Sequence, residues 1–243
     1  MLPSQKFIGA FSVETEVPRT LVEIAYLALR QDIIEGKHQP GTRLRVEHLK
    51  ADYGVGAGTL REALSLLVSD ALVFSEGQRG FSVAPISHAD IKDVTRIRLL
   101  LETEALCESI RNGQVAWEAN LLAAYHRLSA VEDKLNKTKA RLREWEMCNR
   151  DFHEALIAAS TSPWLRYMIG ILYRQSERYR RIAIAVSQQR RDIHSEHAEL
   201  IDAAMKRDIR RAKSALDLHI RGTLEVMLSI PEDELQQVAV LHR

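Results

Sequence analysis

Three histidines sit where helices would turn them toward a shared interior. Asn149 and His153 are four residues apart, so a helix carries both on the stripe that also holds Leu142, Trp145, Leu156 and Ile157. His197 falls on a stripe with Ile193, Leu200 and Ala204, and His219 on one with Ala212, Leu216, Thr223 and Val226. A neutral imidazole offers a lone pair to a divalent ion, and a helix bundle is where facing elements bring such ligands together. The other reading of any one of these residues is a hydrogen-bonded core histidine. His194, which shares a face with Ala198, Ile201 and Met205, competes with His197 for a place in the cluster.

A second stretch with chemical potential is GVGAGTLREAL, Gly54 to Leu64, in which three glycines precede a helical pattern. Without side chains, Gly56 and Gly58 let backbone N–H groups at a helix start approach an anion, which the positive end of the helix dipole favours. The other reading is a plain turn, with Arg61 paired to Glu62 or Asp52 on a solvated face.

The elements that must position these residues follow from periodicity. Thr20 is suited to cap a helix carrying Leu21, Ile24, Leu27, Ala28 and Ile34, which Gly36 and Pro40-Gly41 stop. A short helix fits Val46 to Tyr53. In the next, Leu60, Ala63, Leu64, Leu67 and Ala71 form an apolar stripe, while Gly58, Arg61, Glu62, Ser65 and Ser69 face away. LVFSEGQRGFSVAPI then reads as a β-hairpin. Three helices and a hairpin predict a winged helix-turn-helix over residues 20–85. Ser87-His88-Ala89-Asp90 reads as a capping box with aspartate in the glutamate position. Helical patterns follow at 88–112, 115–136, 139–160, 163–186, 190–206 and 209–229, predicting an all-helical domain over 86–230. Residues 1–19 are expected to be a flexible arm and 231–243 a tail. The fold class is mainly α.

Composition narrows the function classes. Lys plus Arg number 34 and Asp plus Glu 33, so net charge favours neither nucleic acid nor membrane. Cys107 and Cys148, both in helical patterns, read as buried thiols and suit the cytoplasm. No apolar run reaches membrane-spanning length, and the first residues lack the order of a signal peptide. Neither HExxH nor a nucleophile motif occurs, and helical geometry turns Glu154 and Glu196 away from the histidine faces, so a metal-dependent hydrolase lacks a general base.

Residues from about 20 to 85 resemble the DNA-binding domain of the GntR superfamily of bacterial transcription regulators. The resemblance rests on Gly41-Thr42-Arg43-Leu44, Tyr53-Gly54-Val55, Leu60-Arg61-Glu62-Ala63-Leu64, Ala71-Leu72-Val73 and Arg79-Gly80. The chain departs from that pattern at Gly56-Ala57-Gly58, where the family usually carries Ser/Thr-Arg-Thr, and at Glu47, where some members place an arginine. The resemblance implies that Thr59 and Arg61 read bases in the major groove, that Arg79 and Gly80 at the wing tip enter the minor groove, and that Arg43 and Arg45 add to the DNA surface. Between residues 20 and 85 there are seven basic and eight acidic residues, so a few placed cations must carry the phosphate contacts and the salt dependence of binding should be modest.

The second half resembles the FCD domain of the FadR branch. That resemblance implies a metal held by Asn149, His153, His197 and His219, with the spacing from His197 to His219 favouring His197 over His194. Zinc is the expected ion, with nickel or manganese as alternatives. Because an amide is a neutral ligand, the ion keeps its charge and should attract a small carboxylate, for which Arg98, in Arg98-Leu-Leu-Leu-Glu102, is the implied partner. The other reading of Arg98 is a surface ion pair with Glu102. Tyr173, Arg174, Arg178 and Arg180 are further candidates, while LYRQSERYRR, Leu172 to Arg181, reads as a solvated or interface face. The whole predicts a homodimeric, metabolite-responsive repressor on a near-palindromic operator. A metal-free helical sensor of a bulkier ligand and a hydrolase are the alternatives.

Overall fold

The computed structural model describes residues 20–75, 77, 80–133, 138–186 and 191–235. The first helix, α1 (Leu21–Ile34), opens with a reciprocal cap: the Thr20 hydroxyl accepts from the Glu23 N–H and the Glu23 carboxylate accepts from the Thr20 N–H, both at 3.1 Å. After α1 come β1 (Arg43–Leu44), α2 (Val46–Tyr53), α3 (Ala57–Ser69), β2 (Val73–Ser75) and β3 (Phe81–Val83). The strands form an antiparallel sheet in the order β1-β3-β2. The short β1, with no periodicity of its own, was not expected from the sequence. Leu29, Leu49, Leu60, Leu64, Leu67, Leu72 and Val83 fill one core between the helices and the sheet. Each such side chain contributes about 1.5–3 kcal/mol by leaving water.

Ala71 departs from its expected place on the α3 stripe. The helix ends at Ser69, and Ala71 is exposed with a φ of 54°, in the left-handed region. Leu72 points into the core in its stead.

The helical half consists of α4 (His88–Asn112), α5 (Val115–Glu132), α6 (Lys139–Leu156), α7 (Pro163–Val186), α8 (Ile193–Met205) and α9 (Ile209–Leu228). Its core gathers Leu106, Leu121, Leu128, Trp145, Phe152, Leu200 and Leu216. The α6 span is shorter than expected: the chain turns at Ile157, and Ser160 donates to Glu108 at 2.7 Å. Cys107 is buried and Cys148 half-buried, both as free thiols. Ser87 caps α4, accepting from the Asp90 N–H at 3.0 Å, but the box closes through a third residue. The Tyr179 hydroxyl accepts from the Ser87 N–H at 3.3 Å and donates to Asp90 at 2.5 Å. The described start of the expected tail also packs: Leu235 is buried beside Ile86 and Met227, and Glu232 pairs with His88 at 2.7 Å.

Of the two readings of Leu172 to Arg181, a solvated or an interface face, the structure fits the interface and not the solvated one. Tyr173, Ser176, Glu177, Arg178, Tyr179 and Arg180 are buried, because α7 is the seam between the two halves. Arg30 of α1 meets Glu177 at 2.5 Å, Arg178 donates to the Ala84 carbonyl at 2.9 Å, and Asp70 accepts from Arg174 at 3.2 Å. Asp70 also accepts from the Tyr26 hydroxyl, and its carbonyl accepts from Gln175. Burial works to raise the Glu177 carboxyl, but Arg30, Arg181 and Arg180 outweigh it and hold the group below the usual carboxylate range. Polar periodicity misleads here because these groups are satisfied by protein rather than by water, Glu177 and Arg178 by the other half and Arg180 by Glu146 of α6.

Candidate metal centre and nucleic-acid interface

The N-cap of α3 is Gly56, which supplies no side-chain bond to the first-turn N–H groups, so these remain for an outside acceptor. Gly54, with a φ of 65°, needs glycine for its left-handed cap on α2. Gly56 and Gly58 do not: neither has a positive φ, and a Cβ at either would meet nothing within 4 Å. Among the described residues nothing demands glycine there, which leaves room for something that approaches from outside.

Gly58, Arg61, Glu62, Ser65 and Ser69 are exposed, on the side of α3 opposite its buried leucines, and Thr59 is half-buried. The pairing of Arg61 with Glu62 or Asp52 is absent among the described residues. Arg43, whose register partner in the sheet is Ser82, and Arg45, at the start of α2, are exposed too. Gly80 enters β3 with a φ of 92°, while Arg79 lies outside the described residues. The near balance of charge in residues 20–85 persists outside the internal pairs, because both signs lose members to them, Arg30 and Lys37 as well as Asp32, Glu35 and Asp70. Glu35 and Asp70 are turned to arginines of the helical half, and Asp32 holds Lys37 at 2.7 Å and Tyr53 at 2.5 Å.

In the helical half, α6, α8 and α9 bring His153, His197 and His219 together. All three are buried, and each offers a ring nitrogen within 4.8 Å of the other two. The Nε2 atoms of His153 and His219 are 3.1 Å apart. Two nitrogens bound to one tetrahedral ion at about 2.0–2.1 Å would lie roughly 3.3 Å apart. Carboxylates orient two of the rings: His197 Nδ1 is 2.8 Å from Glu132, and His219 Nδ1 is 2.8 Å from Glu196. A carboxylate there keeps the proton on Nδ1 and leaves Nε2 as a donor to metal.

Two orphaned atoms test the fit. His197 Nε2 and Asn149 Oδ1 are both buried with no hydrogen-bond partner. Such atoms are costly to leave unsatisfied, and both are of types that ligate divalent ions. The Asn149 amide is oriented by Tyr173, whose hydroxyl accepts from Nδ2 at 2.6 Å. Burial, then the other two histidines, then Arg98 and Arg180, holds His153 well below its ordinary pKa. Burial, then His197 and Arg191, does the same for His219. Neutral imidazoles are the form that binds metal. The donor set therefore suits a divalent ion such as zinc.

Several sequence-based expectations change. Glu196 does not point away from the site: it orients His219 and is clamped by Arg191, with Nε to Oε1 at 2.6 Å. The helical wheel separated Glu196 from His197 but could not show that α9 lies on its side. His194 is 44% exposed and reaches only Glu132, at 3.3 Å, so it stays outside the cluster. Arg98 does pair with Glu102, at 2.6 and 3.3 Å, but in the interior rather than on the surface. Its guanidinium lies 5.7 Å from the Tyr173 ring centre, and that of Arg180 lies 4.1 Å away. Glu132 and Arg191 were not anticipated. Glu132 looked like an ordinary charge near a helix end, and Arg191 donates to Thr223 at 3.1 Å from the turn before α8.

Residues 21–83 match the family model described as bacterial regulatory proteins, gntR family, and residues 93–222 match the FCD domain. The chain belongs to the GntR family: it is a DNA-binding transcriptional regulator with an FCD effector domain, and not an enzyme. Among similar proteins, the HTH-type transcriptional regulator BphR of Paraburkholderia xenovorans is 43% identical over 92% of this chain and 91% of its own length. The HTH-type transcriptional repressor GlaR of Escherichia coli is 34% identical over 83% of this chain and 93% of its own. In fold, the structure of E. coli McbR/YncC superposes with a TM-score of 0.69 at 21% identity, covering 87% of this chain and 99% of that one. Among the described residues, no helix is long and apolar enough to cross a membrane.

Proposed function

We propose that the chain is a homodimeric repressor that leaves a near-palindromic operator when a small organic acid binds at a divalent ion held by Asn149, His153, His197 and His219. The observation that carries this reading is the pair of buried, partnerless donors, His197 Nε2 and Asn149 Oδ1, on the helices that bring His153 and His219 together. Zinc fits the donor set best, ahead of nickel or manganese. When bound, the ion supplies a positive charge that its neutral ligands do not cancel, which favours a carboxylate. Arg98 and Arg180, fixed by Glu102 and Glu146, add to that field. Repression is supported by the printed name of the E. coli relative GlaR. Action on DNA places the protein in the cytoplasm.

On the DNA side, Thr59 and Arg61 read bases, the N–H groups around Gly56 and Gly58 take a phosphate, Arg43 and Arg45 add backbone contacts, and Arg79 with Gly80 enters the minor groove. The acid can release the operator only by binding one arrangement of the two reading domains better than the other.

Metal analysis of the purified protein, with Asn149→Ala and His197→Ala alongside, tests the sensing half. About one ion per chain in the parent and a large loss in His197→Ala is the expected result. No bound ion in the parent, with a bulkier ligand still bound, would establish a metal-free sensor. A gel shift on the DNA upstream of the protein's own gene tests the reading half: Arg61→Ala should lose binding and His219→Ala should keep it. Unaltered DNA affinity in Arg61→Ala would remove that residue from the reading face.

A further inference from the structure

Between α1, α6 and α7 lies a cavity of about 100 Å³ that the metal reading does not use. None of the three clustered histidines lines it. Its walls carry five arginines, Arg30, Arg143, Arg150, Arg174 and Arg181, against two glutamates, Glu146 and Glu177. Both glutamates are already engaged: Glu177 meets Arg30 at 2.5 Å, and Glu146 accepts from Arg180 at 3.3 Å through Nε. Arg143 is bound to Glu35 at 2.5 Å and Arg174 to Asp70 at 3.2 Å.

Arg181 is different. Its nearest carboxylate oxygens, on Glu35 and Glu177, are both 3.6 Å away. Its Nε is buried and has no hydrogen-bond partner. A guanidinium needs acceptors in its own plane, and one left short of them beside a cavity marks a place for an anion.

We propose that this cleft binds a phosphate group, with Arg181 as its principal ligand and Arg143 and Arg150 on the facing helix. A single bidentate arginine suffices for a planar carboxylate, whereas guanidiniums arriving from two facing helices suit an anion whose oxygens point in several directions. The cavity suits one such group rather than a nucleotide. Arg30 and Gln31 of the DNA-binding half line the cleft as well, so the bound anion lies at the seam between the two halves. This site does not depend on the metal reading.

The test is thermal unfolding of the full chain, with inorganic phosphate in one arm and glycerol phosphate in the other, against chloride and acetate at matched ionic strength. The expected result is a saturable rise in Tm with phosphate at millimolar concentration or below, absent with chloride and acetate. The rise should persist after metal is stripped by a chelator, and should need about tenfold more phosphate in Arg181→Gln. Arg143→Gln, at a side chain 51% exposed, is a second variant that should fold and should also weaken the effect. A stronger response to glycerol phosphate would assign the site to a phosphorylated metabolite, and an equal one to the free ion. The proposal is overturned if phosphate gives no saturable rise, if Arg181→Gln and Arg143→Gln respond like the parent, or if chelation abolishes the effect and so places the anion on the metal.

Discussion

The two ends of this molecule offer their chemistry in opposite ways. On α3 the groups that can act are exposed and uncommitted: Arg61 extends into solvent, and Gly56 and Gly58 leave the helix start bare. In the helical half the acting groups are buried, and three of the four are tied to a second residue before any ligand arrives. Glu132 orients His197, Glu196 orients His219, and Tyr173 orients Asn149. A surface that must conform to DNA can leave its side chains free. A site that must hold an ion has to fix its donors beforehand, since ordering them later would subtract from the binding energy.

That contrast predicts where substitutions cost most. The largest effect should come at the seam. Glu177→Ala removes the carboxylate that meets the buried Arg30 at 2.5 Å and should destabilise the fold by about 3–5 kcal/mol in urea unfolding. A loss under 1 kcal/mol would mean that the pair is screened by water. Glu132→Gln should come next. It keeps the shape but weakens the hold on His197, and about 10- to 100-fold lower metal affinity by competitive titration is expected. Unchanged affinity would show that the carboxylate plays no part in orienting the ring.

Smaller effects belong to the exposed end. Arg61→Ala should cost about 1–3 kcal/mol of operator binding and almost nothing in unfolding free energy, because the side chain has no internal partner. The smallest effect, and the sharpest as a discriminator, is Gly58→Ala. It should stabilise α3 by roughly 0.5–1 kcal/mol and yet weaken DNA binding, since the added methyl has open space within the protein but stands where a phosphate would come. Gains in both stability and affinity would show that the glycine serves no ligand.

How far the sequence could be read follows the same division. The helices carrying Leu60, Leu64 and Leu67, or Phe152 and Leu200, bury apolar residues at a 3.6-residue period, so their places and inward faces were legible, while their ends, as at Ile157 and Ala71, were not. So were the three histidines, which interrupt otherwise apolar stripes. Glu132, Glu196 and Arg191 were not, because charged residues off the stripe look alike whether they meet water or a ring nitrogen on another helix. Residues 172–181 were ambiguous for the same reason on a larger scale: polar spacing left solvent and interface open, and the partners proved to lie partly in the DNA-binding half, as for Arg178, and partly on neighbouring helices, as for Arg180. Arg43–Leu44 formed a strand too short to have any period, and its pairing with β3 is purely tertiary.

Asp70 occupies the C-cap of α3 and is joined to α7 through Arg174 and Gln175, so one end of the reading helix is pinned to the sensing half while the other end projects toward DNA. Such a helix acts as a lever. At about 1.5 Å per residue its 13 residues span about 20 Å, so a 5° tilt at the pinned end displaces the far tip by roughly 1.7 Å. A displacement of that size exceeds what a base-edge hydrogen bond tolerates, so if Arg61 reads a base as proposed, a small tilt at the pinned end would be enough to spoil that contact.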